Sequence, residues 1–187
     1  AHSTRVLFTG ESGSGREAFA RYLREAGDRA SRPLVILVAS TVRESDAEPL
    51  LLGNQSGNDA GSGPRKGILE QAAGGTLFIS DIDDLLPAAQ RILLGVLETG
   101  SFTRVGGTEP VPFDARVIAS ARPGIEQRAG LGEFRSDLLA QLNTLVFRVP
   151  PLRDYAEDVP ELLRYYVDRL VDAESLPFRK FSVAAQN

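Results

Sequence analysis

The sequence contains no cysteine, no methionine and no tryptophan, and its single histidine is His2. Without cysteine there is no disulfide, no thiolate zinc site and no thiol nucleophile. The one histidine lies in residues 1–4, which read as a cloning remnant or linker. Catalytic triads built on histidine and His-rich metal sites are therefore excluded. No apolar run approaches the roughly 18–20 residues that span a bilayer, and no signal peptide is visible. Positive charge is also scarce. The chain has 21 Lys and Arg against 25 Asp and Glu, a net charge of −4, so it lacks the basic surplus to grip nucleic acid by itself. What remains is ordinary: 187 residues, 42% apolar and 25% charged, enough for one globular domain or a domain with a small appendage. The chain does not start with Met, and it reads as an excised fragment.

Short β-prone segments alternate with helical ones. Residues 5–9 (RVLFT), 34–39 (LVILVA), 76–80 (TLFIS), 116–120 (RVIAS) and 145–149 (LVFRV) have strand length and composition. Continuous apolar runs such as 34–39 suit parallel strands buried on both faces, and all five read as core strands. Helices are expected over 17–26, 46–52, 66–73, 87–97 and 158–171 from their apolar spacing. Residues 53–64 (GNQSGNDAGSGP) read as loop, and 102–113 as a hairpin turning at Gly106-Gly107. Strands alternating with helices imply βαβ units and a mostly parallel sheet, with ligands at the carboxyl ends of the strands.

One such end carries a glycine loop. Gly10, Glu11, Ser12, Gly13, Ser14, Gly15, Arg16 and Glu17 follow a strand and open a helix, the setting of the phosphate loop G-x-x-x-x-G-K-[ST]. Its glycines let the backbone wrap a polyphosphate, and the helix N-terminus offers N–H groups and a positive dipole end. Arg16 stands where the motif has Lys, and Glu17 where it has the magnesium-binding hydroxyl. The two cations are not interchangeable. A second strand end reads Ser80-Asp81. In phosphate-loop NTPases that place holds a magnesium carboxylate, and a serine hydroxyl is a poor ligand for a hard dication. Asp81 falls at the water-activating position. Asp83 and Asp84 follow, read as polar caps of the helix at Pro87, with a displaced metal site as the alternative.

These segments, in the order GESGSGRE, GNDAGS, RKGILEQAAGGTLFISDI, SFTRVGG, VIAS, FRSDL and VPPLRDYAEDVPEL, resemble the central AAA+ domain of sigma-54 transcription activators, the NtrC family with its NtrX-type members. The resemblance implies an α/β fold: a three-layer αβα sandwich on a mostly parallel five-stranded sheet. It places the core at 5–152 and the start of a truncated helical lid at 153–187. It implies ATP or ADP at subunit interfaces, a homo-oligomer between a dimer and a six- or seven-membered ring, and cytoplasmic location. DNA contact would come through a C-terminal domain absent here, and RNA polymerase contact through a loop.

The family's working parts map onto this chain with departures. The phosphate-loop lysine is Arg16, and the Asp-Glu pair that serves magnesium and water is Ser80-Asp81. The polar sensor pair is Ala121-Arg122, one arginine finger matches Arg135, and the second falls on Gln141. The sigma-contacting GAFTGA loop is replaced by Gly57, Asn58, Asp59, Ala60, Gly61 and Ser62. Losing an aromatic anchor for a carboxylate weakens such a contact. Changes in five elements point the same way, to a nucleotide-holding pseudo-ATPase or very weak ATPase with no firm magnesium site. The alternatives are a working ATPase in which Arg16 and Asp81 suffice, and a sensor of another nucleotide, such as cyclic di-GMP, held by Arg16, Arg122 and Arg135. Arg65 and Lys66, beside the loop, read as a solvated face, and Arg104 as part of a tight turn.

Overall fold

The computed structural model describes residues 4–56 and 63–174. They fall into two compact units that divide between Val149 and Pro150. The first unit begins with β1 (Val6–Gly10), α1 (Arg16–Glu25), β2 (Leu34–Val38) and α2 (Ala47–Leu52). A small ribbon of β3 (Gly53–Asn54) and β4 (Arg65–Lys66) leads to α3 (Ile68–Gln71), β5 (Thr76–Ser80) and α4 (Pro87–Thr99). A hairpin of β6 (Ser101–Thr103) and β7 (Pro110–Pro112) precedes β8 (Arg116–Ala121), α5 (Ile125–Gly130), α6 (Ser136–Leu142) and β9 (Leu145–Val149). The second unit holds a 3-10 stretch, Leu152–Asp158, and α7 (Val159–Glu174).

The main sheet runs β2-β5-β8-β1-β9, and every pairing in it is parallel. Side chains alternate across the three central strands. Val6, Phe8, Phe78 and Ile118 point to the face covered by α1, where Ala20 meets them. Leu7, Leu77, Ile79, Val117 and Ala119 point to the other face, against Leu51, Leu69, Leu93, Leu97, Leu138 and Leu142. The three-layer α/β sandwich expected from the sequence is the architecture found.

Some expectations change. Residues 34–38 and 145–149 are edge strands, not doubly buried ones. Among β2 only Leu37 is buried, and among β9 only Val149. An apolar run shows that a strand packs against something; it does not show the strand's place in the sheet. The helix expected from residue 66 starts at Ile68 because Arg65 and Lys66 pair with Asn54 and Gly53. The ends of the stretch read as loop are therefore a ribbon. Two short helices, α5 and α6, are additions to the helices expected. The helix at Pro87 is as expected, with proline at its first turn and Gly100 (φ 69°) closing it.

Phe78 is 1% exposed and sits at the centre of the α1 face. Phe78→Ala is expected to cost about 3–5 kcal/mol of stability, the usual range for emptying a packed aromatic site. Urea unfolding of the two proteins measures it; a loss below 1 kcal/mol, on the order of a surface substitution, contradicts this packing.

Candidate functional site

The loop from Glu11 to Gly15 leaves the buried end of β1 and turns into α1. Gly13 and Gly15 have φ of +82° and +90°, the left-handed region, and a Cβ on either would meet only open space. Conformation, not crowding, demands glycine there. No side chain caps the N-terminus of α1, so its first N–H groups and positive dipole end face the loop. This is a cradle for an anion.

Arg16, the first residue of α1, is buried at 7% exposure, and its Nη1 lies 2.7 Å from Asp81 Oδ1. Asp81 ends β5 in a left-handed conformation (φ 52°, ψ 54°). Its backbone N–H donates to the hydroxyl of buried Ser120 on β8, at 3.0 Å. A strand lying between β1 and β5 thus holds the carboxylate within reach of the arginine. The contact is a charge pair without hydrogen-bond alignment. Arg16 Nη1, Asp81 Oδ1 and the hydroxyl of buried Ser14 all lack a hydrogen-bond partner. Such atoms are rare in folded proteins, and three of the five among the described residues belong to this loop and its partner. The Ser14 hydroxyl is unspent hydrogen-bonding capacity beside an anion cradle.

The structure corrects the reading of Asp83 and Asp84. The N-cap of α4 is Leu86, with no side-chain cap. Asp83, whose side chain is 1% exposed, instead accepts from Arg122 Nε at 2.7 Å, from the Arg122 backbone N–H at 3.2 Å, and from Arg128 Nη1 at 3.2 Å. Asp84 also takes an ion pair from Arg122. A displaced metal site there is not supported: among the described residues no group of three His, Cys, Asp or Glu side chains could hold a metal. Arg122, at the sensor position, is thereby tied down, and its guanidinium is pushed above its ordinary pKa chiefly by the Asp83 hydrogen bond.

Arg135 precedes α6 and forms a two-pronged pair with Asp137, at 2.6 and 3.0 Å. Its backbone N–H donates to Gln90 Oε1, and Gln90 Nε2 donates to the Leu85 carbonyl at 2.6 Å. Gln141, at the second finger position, accepts from Arg5. Arg16, Arg122 and Arg135 are each matched by separate carboxylates, so they do not form one open cationic cluster.

Residues 57–62, the position of the partner-contact loop, lie outside the described residues. Their supports are described. Gly53 (φ +80°) and Gly67 cross so closely that a Cβ on either would sit 2.3 Å from backbone atoms of the other side. The hairpin turn docks here: Gln55 N–H donates to the Val105 carbonyl, and Val105 N–H to the Gly53 carbonyl. Arg104 grips Glu70 with both prongs, at 2.8 and 2.9 Å, and also reaches Gln55. The turn at Gly106 is as expected, but Arg104 is a clamp as well. Arg65 and Lys66 are exposed, as expected.

Several contributors escaped the sequence. Ser120, Arg128, Gln55 and Glu70 act across 34 to 49 residues of chain, a distance at which no local pattern speaks. Gln90 did leave a signal: it is a polar residue on the apolar face of α4 shared with Leu93, Leu94 and Leu97.

The residues present fit a nucleotide phosphate: glycines in left-handed conformation, an uncapped helix start, the buried, unpartnered Ser14 hydroxyl and the buried guanidinium of Arg16. They do not fit magnesium. At the end of β5, where the metal carboxylate would stand, are the Ser80 hydroxyl and Asp81, which already faces Arg16. A hard dication needs more anionic oxygen than that.

Known proteins agree with this fold. The family model for the sigma-54 interaction domain matches residues 1–148. The chain is 39% identical over 181 residues to the DNA-binding transcriptional regulator NtrC of Rhizobium meliloti, covering 96% of this chain and 37% of that protein. Among solved structures it is similar to NtrX from Brucella abortus in complex with ATP (TM-score 0.85) and with ADP (TM-score 0.84). Both are 32% identical and cover 98% of this chain, and 41% and 40% of theirs. The chain thus spans about two fifths of the length of these relatives.

The Arg104–Glu70 clamp makes stability depend on pH. The Glu70 carboxyl is held below its ordinary pKa, first by the Arg104 hydrogen bond. A lowered folded-state pKa means that the contribution is complete above the unfolded-state value and disappears as pH falls through the folded-state value. Wild type is therefore expected to exceed Glu70→Gln in unfolding midpoint at neutral pH, and to converge with it well below the carboxylate range. A midpoint difference that does not change with pH would show that the pair is not ionic.

Proposed function

The chain belongs to the sigma-54 interaction domain family, and from that premise we propose that it is the AAA+ regulatory module of a bacterial response-regulator-type transcription factor that holds nucleotide but hydrolyses it weakly or not at all. The observation that carries this reading is the 2.7 Å pair between Arg16 and Asp81. Arg16 stands at the phosphate-binding cation and Asp81 at the water-activating carboxylate. Paired, each spends on the other the charge that the chemistry needs. Polarising a transferring phosphoryl group and positioning its nucleophile depend on such charges being free and aimed. The ATP and ADP complexes of NtrX support nucleotide in the cradle formed by residues 10–17.

In this reading the domain assembles with copies of itself. It passes a signal between a receiver domain on one side and a DNA-binding domain on the other, and works in the cytoplasm. Arg135 leaves Asp137 to face a neighbouring subunit's nucleotide. The loop 57–62, carried on the ribbon β3–β4, is the surface for RNA polymerase or its sigma factor. An Asp at 59 in place of the aromatic makes that contact weak.

The competing reading is a working ATPase. Phosphate release at steady state separates them. The wild-type rate is expected to lie within about twofold of an Arg16→Ala control, meaning that no transition-state interaction is lost with the arginine. Turnover that Arg16→Ala abolishes would establish the ATPase instead.

A further inference from the structure

The misfit between this pocket and magnesium has a consequence for the ligand itself. We propose that the phosphate loop takes a nucleoside diphosphate without a divalent cation, with Arg16, fixed by Asp81, as its one cation. This rests on the nucleotide-holding reading above and adds the cofactor requirement and the preferred phosphate number.

The formal charges at the loop are few. Arg16 contributes +1 and Asp81 −1, and they are 2.7 Å apart. Glu17, in the first turn of α1, is taken up by Arg21 at 2.7 Å. Asp83 and Asp84 are spent on Arg122 and Arg128. A divalent cation at the end of β5 would find the Asp81 carboxylate with a guanidinium already against it. Like charges at contact distance repel strongly in a water-poor site.

A metal-free polyphosphate meets different conditions. The guanidinium is a planar fork with five N–H groups, so Asp81 can hold one prong while others meet phosphate oxygens. The Ser14 hydroxyl is buried without a hydrogen-bond partner, and the uncapped start of α1 adds N–H donors. These groups suit a short polyphosphate. Every further phosphoryl group brings more negative charge to a site where Asp81 already balances Arg16 and where Glu11 adds an exposed carboxylate in the loop itself. Without a dication to screen it, the third phosphate is a burden.

Calorimetric titration of the full chain with ADP and with ATP, each in EDTA and in excess magnesium chloride, tests this. ADP affinity is expected to change by less than about twofold on adding magnesium, and to equal or exceed ATP affinity in EDTA. Asp81→Asn, checked for cooperative unfolding, is expected to raise ATP affinity relative to ADP by about tenfold, because it removes the carboxylate and keeps its shape. Magnesium tightening ADP binding by about tenfold or more, or ATP binding tenfold more tightly than ADP in EDTA, would overturn the proposal while leaving nucleotide holding intact. So would an Asp81→Asn protein whose preference is unchanged. A folded chain that binds neither nucleotide under any condition would remove the nucleotide-holding reading as well.

Discussion

Strand β8 is hydrogen-bonded to β1 on one side and β5 on the other, and that placement decides where each charged group of the site can go. The three strands are parallel, so their carboxyl ends lie together at one edge of the sheet. The glycine loop leaves β1 there, Asp81 leaves β5, and Arg122 leaves β8. Pairs such as Phe78 with Ile118 and Phe8 with Ser120 set the register. A slip of one residue would turn every apolar side chain to the opposite face. The core thus enforces the register, and the register brings Ser120 under the backbone of Asp81.

Charge around this edge is matched pair by pair. Arg16 meets Asp81, Arg122 and Arg128 meet Asp83, and Arg135 meets Asp137. These pairs are not equivalent. Asp83 is buried and serves two guanidiniums, so it behaves as a structural post between β8 and α5. The Arg135–Asp137 pair is about half exposed on both sides, where water screens it and its contribution is small. The Arg16–Asp81 pair lies between: the arginine is buried, the carboxylate is one-third exposed, and atoms on both sides still lack hydrogen bonds. An arginine in that state is held in position by its carboxylate. The same interaction type therefore serves here in a buried, a half-exposed and an intermediate setting.

The ribbon and the hairpin form a second centre. Gly53 and Gly67 let two backbones cross, and Arg104, Glu70 and Gln55 tie the hairpin turn to the base of the ribbon. Whatever the segment 57–62 touches, its root is anchored to β6, β7 and the start of α3. Glu70 and Arg104 form the only two-pronged ion pair in this region among the described residues.

Local sequence was sufficient for the glycine loop between β1 and α1, the five strands, the proline-started helix at Pro87 and the hairpin turn at Gly106. Each rests on short-range physics: glycine's access to positive φ, proline's fixed φ, and the spacing of apolar residues. The family was legible for the same reason, because its motifs are contiguous. Local sequence did not tell which strands were edges, since an apolar run is silent about its neighbours. Nor did it reveal that Asp83 and Asp84 neutralise Arg122 and Arg128 instead of capping a helix. Those partners lie about forty residues apart and meet only after β5 and β8 pair. The types of residue at the site were thus determined by the sequence alone. Which charge faces which was decided by the tertiary structure, because Coulomb attraction and hydrogen bonding act over ångströms of space and not over positions in a chain.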